Sequence, residues 1–153
     1  MKNDVVAVSI RGILPAKNGC AIFLGNEEKV FVINVETMMG DIIGKFIHGI
    51  PNERPLTHNL MLHVFTGFGI TVERVVITGL KNSTYFARLI LSEQNELQTA
   101  RKLVEIDARP SDCLALAAAQ KRPIYVVASL LEQVEDMTEL LDQINSGNAG
   151  DEE

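Results

Sequence analysis

Two short stretches carry most of the residues able to do chemistry: ERPLTHNL at residues 53–60 and ARPSDCLAL at residues 108–116. Each opens with Arg-Pro, and each runs at once into an apolar periodic segment. Proline suits the first position of a helix, where its missing N–H would have had no intrahelical acceptor. Ser111 and Asp112 then fall in a first turn, where free backbone donors and the positive end of the helix dipole favour acceptors and anions. Capping alone accounts for that placement. An alternative use exists for the arginines, because a guanidinium fork and a helix N-terminus both suit a phosphate. Arg54 and Arg109 therefore either pair with Asp107 or Asp112, fixing two helix starts against each other, or grip an anion. Thr57 falls near the middle of an apolar helix face and needs an internal partner there. His58 sits at the edge of that face, and Asn59 and His63 point away from it.

Metal and nucleophile signatures are sparse. No Walker loop, GxGxxG, GxSxG, HExxH or EF-hand pattern occurs. His58 and His63 diverge by about 140° on a helix and do not form a ligand pair. Asp107 and Asp112 are the carboxylates nearest a polar helix start, and together they could hold a hydrated divalent cation such as Mg²⁺. Such a pair would polarise a phosphate and generate a nucleophilic water. Cys20 and Cys113 lie far apart without metal-type spacing and read as reduced thiols.

The elements that must position these residues alternate between periods of two and 3.6. DVVAVSIRGIL (4–14), CAIFLG (20–25) and KVFVINV (29–35) predict three strands in a meander, with Asn18-Gly19 as turn chemistry. Residues 36–49 have helical spacing, with Gly40 and Gly44 on one side, which costs helicity unless another element packs closely there. Residues 55–68 predict a second helix with Pro55 in its first turn, an apolar face of Leu60, Met61, Val64, Phe65 and Phe68, and Gly69 as its stop. ITVERVVITGL (70–80) and TYFARLILSE (84–93) predict a hairpin, and ARKLVEIDA (100–108) a further strand. The helix at 110–121 is apolar all round and so buried, and PIYVV (123–127) is a short buried strand. SLLEQVEDMTELLDQI (129–144) predicts one final helix, with apolar residues from 130 to 144 in a stripe and Ser129 and Glu132 at capping-box spacing. The sum is a single α+β domain over residues 1–145, with a mixed, largely antiparallel sheet and about four helices. Residues 146–153 show no pattern and are expected to be a disordered acidic tail.

Composition narrows the function classes. A net charge of −6 and only 5% aromatic residues disfavour broad electrostatic affinity for nucleic acid and base-stacking platforms. Arg88, Arg101 and Lys102 read as solvated strand faces, and at least one of Tyr85 and Phe86 as core. No apolar run approaches the roughly 20 residues of a membrane span. MKNDVVAVSIRG has an early acidic residue and no apolar core, so no signal peptide is expected and the chain is read as cytoplasmic. The β-rich hairpin edges and the Gly40/Gly44 face suggest a homodimer or small homo-oligomer.

ERPLTHNL, VERVVITGLKNSTYFARL, EIDARPSDCLALA and PIYV, in that order, resemble the bifunctional nuclease domain family, which occurs widely in bacteria and in plant proteins credited with RNase and DNase activity. The resemblance covers roughly residues 5 to 135. It implies an α+β fold with a mixed sheet, RNA or DNA as partner, and Arg54, Pro55, Thr57 and His58 in a first motif with Asp107, Arg109, Pro110, Ser111 and Asp112 in a second. Three positions depart from the family pattern. Asn59 stands where an aspartate is usual, Met39 lies near a position typical of glutamate, and Cys113 replaces an alanine.

Two readings follow. In the first, the chain is a nuclease, with Asp107, Asp112 and His58 catalytic, Asp107 and Asp112 the candidate metal ligands, and Arg54, Thr57, Arg109 and Ser111 on the substrate. In the second, it is a non-catalytic ligand-binding or regulatory domain whose two Arg-Pro helix starts form a structural network or an anion site.

Overall fold

A computed structural model describes residues 4–93 and 101–150. Seven strands form one mixed sheet: β1 (Val5–Ala16), β2 (Gly19–Gly25), β3 (Val30–Val35), β4 (Ile70–Lys81), β5 (Thr84–Glu93), β6 (Lys102–Ala108) and β7 (Ile124–Val127). Five helices accompany them: α1 (Thr37–His48), α2 (Thr57–Gly67), α3 (Pro110–Gln120), α4 (Ala128–Gln133) and α5 (Thr138–Gly150). The strand order is β3-β2-β1-β7-β4-β5-β6, and every neighbouring pair is antiparallel except β4 with β7. The α+β expectation and the largely antiparallel sheet both hold.

β1 joins the two halves of this sheet. Val5–Val8 pair with β7, and from Ser9 onward the strand pairs with β2, with an irregularity between Ile10 and Gly12. The β4–β5 hairpin closes on Asn82 and Ser83, both at positive φ, as a two-residue turn matching the twist of its strands requires. Alternation along β2 feeds two cores. Ile22 and Leu24 join the main core beneath α1 and α3, and Phe23 points the other way, to Val30 and Leu141 of α5. α3 is the most deeply buried helix, with Cys113 through Ala117 almost fully enclosed.

Gly40 explains how α1 docks. A Cβ there would lie 2.5 Å from Cys20 Sγ, so the close partner for this face is β2 of the same chain. Gly44 has nothing near it, and the glycine pair therefore gives no support to association between copies.

Two helices depart from expectation. α2 begins at Thr57, with Leu56 as N-cap, so Pro55 lies outside it. The Asn59 side chain sets that start by accepting the Leu56 N–H at 2.9 Å. Its apolar face is also only partly buried. Phe65 is enclosed and Met61 partly so, but Leu60, Val64 and Phe68 are exposed, because the main packing of α2 is with α3 and β4. The segment expected to form one final helix is two. α4 stops at Gln133, Val134 is extended (φ −77°, ψ 151°), and α5 restarts at Thr138. Asp136 makes the break: its Oδ1 accepts the N–H of Thr138 at 3.0 Å and that of Val30 at 3.3 Å. Val134 packs in the main core and Leu141 in the second, so the stripe serves two cores through two helices. Ser129 is not a cap; α4 follows directly from Val127 with no side-chain capping bond. α5 continues to Gly150 and so takes in the first residues of the segment read as a tail, while residues 151–153 lie outside the described residues, as does residue 100 of the strand expected at 100–108.

Candidate functional site

α3 opens as its sequence predicts. Arg109 is the N-cap residue with extended backbone (φ −66°, ψ 143°), Pro110 is the first helical residue, and Asp112 is the third. The Asp112 carboxylate caps no backbone donor there. It accepts Arg109 Nε on Oδ2 at 2.9 Å and Arg109 Nη2 on Oδ1 at 3.3 Å. The same Oδ1 lies 2.9 Å from His58 Nε2, delivered by the first turn of α2. Arg109 Nη1 lies 3.8 Å from Glu36 Oε1 at the start of α1. One carboxylate thus ties α2 to α3, and its arginine leans toward α1.

Burial decides the worth of the two contacts. The His58 side chain is 9% exposed, Asp112 28% and Arg109 61%. The Asp112–His58 bond is the sheltered one, and the arginine contact is screened by solvent. Burial works to raise the Asp112 carboxyl, but the hydrogen bonds and charges of Arg109 and His58 prevail and hold it below the usual carboxylate value. Arg109 is pushed up in turn, chiefly by its hydrogen bond to Asp112. An ionised Asp112 requires a proton on His58 Nε2, which leaves Nδ1 as the ring's second nitrogen. That atom is buried and has no partner among the described residues.

This cluster stands at a cavity of about 1140 Å³ between α2, the start of α3 and the β5–β6 end of the sheet. Its floor is apolar, with Met61, Phe65, Leu89, Leu91 and Leu116, and its polar lining includes Glu36, Thr57, Ser111, Asp107 and Arg109. Asp107, at the end of β6, is exposed and has no ion pair among the described residues; Arg88 is its partner in register. Ser111 is buried, Thr57 is exposed on the cavity side, and Tyr85 packs on Phe31 with ring centroids 6.1 Å apart. Seven of the singled-out positions, Thr57, His58, Asp107, Arg109, Pro110, Ser111 and Asp112, therefore meet at one cavity.

Arg54 does not. It is exposed in the loop before α2 and is not part of the cavity wall, so the symmetric pairing of two arginines with two aspartates is not what forms. Glu36 was missed, because an isolated glutamate before a helix carries no signal of a remote arginine. As a cation site the residues fit poorly. Both oxygens of Asp112 are engaged by Arg109 and His58, and no group of three or more His, Cys, Asp or Glu side chains converges among the described residues.

Two proteins, one from each of two strains of Mycobacterium tuberculosis and both described as uncharacterized, are 33% identical over 85 residues. The match covers 56% of this chain and 46% of each relative, so the chain aligns with less than half of their length. No helix among the described residues is long and apolar enough to cross a membrane. A family model for the bifunctional nuclease domain matches residues 22–139, from β2 into α5. That span takes in both Arg-Pro motifs and every side chain of the cluster, and the chain belongs to the bifunctional nuclease domain family.

Proposed function

We propose that the chain is a nuclease that hydrolyses phosphodiester bonds in RNA or DNA at the cavity mouth. The observation that carries the reading is the convergence of His58, Asp112 and Arg109, from two helices, on one open cavity. Arg109, more than half exposed, meets a phosphate oxygen, with Thr57 and Ser111 as the neighbouring polar contacts. Asp112 accepts the His58 Nε2–H, and with Nδ1 buried His58 is a positioning residue that holds the carboxylate under Arg109, while water at the open cavity mouth gives its proton to the departing oxygen. Asp107, free of ion pairs among the described residues, takes the proton of the attacking water. No step is routed through a metal ion.

A second reading is favoured by the charges around the cavity. Arg109 is already met by Asp112 and faces Glu36, and Asp107 adds a further negative group, which suits a binding or regulatory domain better than a polyanion channel. Cleavage of labelled RNA, single-stranded DNA and duplex DNA, with Mg²⁺ and with chelator, separates the two. The nuclease reading expects cleavage that survives chelation and falls about 10²–10⁴-fold in Asp107→Ala. Absence of cleavage on every substrate overturns it, as does cleavage indifferent to both Asp107→Ala and Asp112→Ala.

A further inference from the structure

The exposed side of α2 has no role in the cluster. Leu60, Val64 and Phe68 repeat every four residues and are 59%, 46% and 73% exposed, with Leu56 continuing the line before the helix. One position on, Met61 and Phe65 turn inward and line the cavity. Across the cavity, Val104 and Ile106 of β6 are also exposed, and among the described residues β6 pairs with β5 alone at the edge of the sheet. A monomer rarely leaves such a line of large apolar side chains in water along one helix.

We propose that the chain forms a two-fold dimer in which the Leu60–Val64–Phe68 stripe of α2 packs antiparallel against the same stripe of a second copy. Charge selects this occupant. THNLMLHVFTG contains no Asp, Glu, Lys or Arg, and its two titratable residues are His58, held by Asp112, and His63. A nucleic acid finds no cation on this helix. A membrane surface needs basic residues flanking the apolar face, and α2 has none. Two copies of a chain with net charge −6 repel through most faces, whereas an uncharged stripe meets its own copy without that cost.

Size agrees. The exposed apolar side chains of the α2 line, Leu56 included, present on the order of 400 Å². The smaller specific interfaces bury about 600 Å² per partner, and homodimer interfaces are about 65% apolar, so the amount required is closely similar. An isologous contact pairs Leu60 with the partner's Phe68 region and Val64 near the axis, at the 8–10 Å spacing of packed helices.

Sedimentation equilibrium of the full chain tests this from about 1 µM to about 1 mM, with Leu60→Glu, Val64→Glu and, as a control on α5, Leu140→Glu. A two-copy mass is expected for the parent and the control, with association weakened about 30-fold or more in each α2 variant. Circular dichroism checks that both variants remain folded, as substitutions at exposed sites should. A single-copy mass throughout overturns the proposal, and is the result if another segment of the same chain covers α2. A dimer indifferent to both α2 substitutions overturns it equally. Mass does not depend on His58 or Asp112 chemistry, so this outcome and the cleavage assay fail separately.

Discussion

Replacing Asp112 by alanine removes two hydrogen-bonded partners at once, and their burial makes the losses unequal. On the His58 side, a sheltered ring loses its Nε2 acceptor when Nδ1 already has no partner among the described residues. Leaving such a donor unmet costs about 1–3 kcal/mol. On the Arg109 side, a guanidinium 61% exposed recovers water, and the pair is worth about 0–1 kcal/mol. Loss of a carboxylate from the first turn of α3 adds about 0.3–1 kcal/mol. Asp112→Ala should therefore cost about 1–5 kcal/mol, and Arg109→Ala under about 1 kcal/mol. For a domain of this size, that lowers Tm by roughly 2–20 °C and at most about 4 °C respectively. Calorimetry on the two variants, with His58→Ala and both double variants with Asp112→Ala, gives the pairwise couplings. The Asp112–His58 coupling should exceed the Asp112–Arg109 coupling by about 1 kcal/mol or more. Equal couplings, or an Arg109→Ala loss as large as that of Asp112→Ala, would refute the assignment of the sheltered bond as the one holding α2 to α3.

Stability toward acid should depend on the same carboxylate. Its folded pKa lies below its ordinary value of 3.8, so its contribution is complete above the unfolded value and is lost as pH falls through the folded one. Asp112→Asn should accordingly lose less stability than the parent between about pH 5 and pH 2, and denaturant midpoints across that window measure it. Gly40→Val forces two methyls into Cys20 where a Cβ already lies 2.5 Å from its sulfur, and should cost about 1–3 kcal/mol or displace α1 in urea titration. Cys113 is fully buried, with its thiol pushed up to about 12 by burial and by Asp112 and Asp107, so alkylation under native conditions should track global unfolding. Asp136→Ala removes acceptors for Thr138 and Val30 and should fray the start of α5, read as faster amide exchange there.

Period and turn chemistry made the strands, the hairpin and the buried α3 legible, because each buries one face or both against a regular neighbour. What failed was local pattern whose partner is remote. The stripe from Leu130 to Ile144 fits one helix, and only the capping of Asp136 on β3 and α5 shows why it is two. The stripe of α2 fits a buried face, and nothing in its spacing says that the layer above β5 and β6 is left open. The site was legible as a set of residues and not as a set of bonds. Seven of the singled-out positions meet at the cavity, but which arginine pairs with Asp112 depends on how β6 delivers α3.

The two Arg-Pro motifs show why matched sequence did not give matched structure. In α3 the proline is the first helical residue, whereas in α2 it stands two residues before the helix. The third helical residue differs as well: Asp112 in one, Asn59 in the other. Asn59 turns its Oδ1 back to the Leu56 N–H and also meets Asn52 Nδ2, which binds the entering loop. Asp112 also reaches back three residues, but to the Arg109 side chain, and across to His58 on α2. An aspartate at position 59 would supply the same acceptor oxygen to Leu56, so the amide there retains the capping function and removes a negative charge from the neighbourhood of His58. Met39 is enclosed in the main core, and a carboxylate at that place would lack solvent. The acidic group that α1 brings to the cavity is Glu36, three residues earlier. Neither departure from the family pattern therefore strips the cluster of a charge it uses: His58 retains its orienting carboxylate, and Arg109 retains two acidic neighbours.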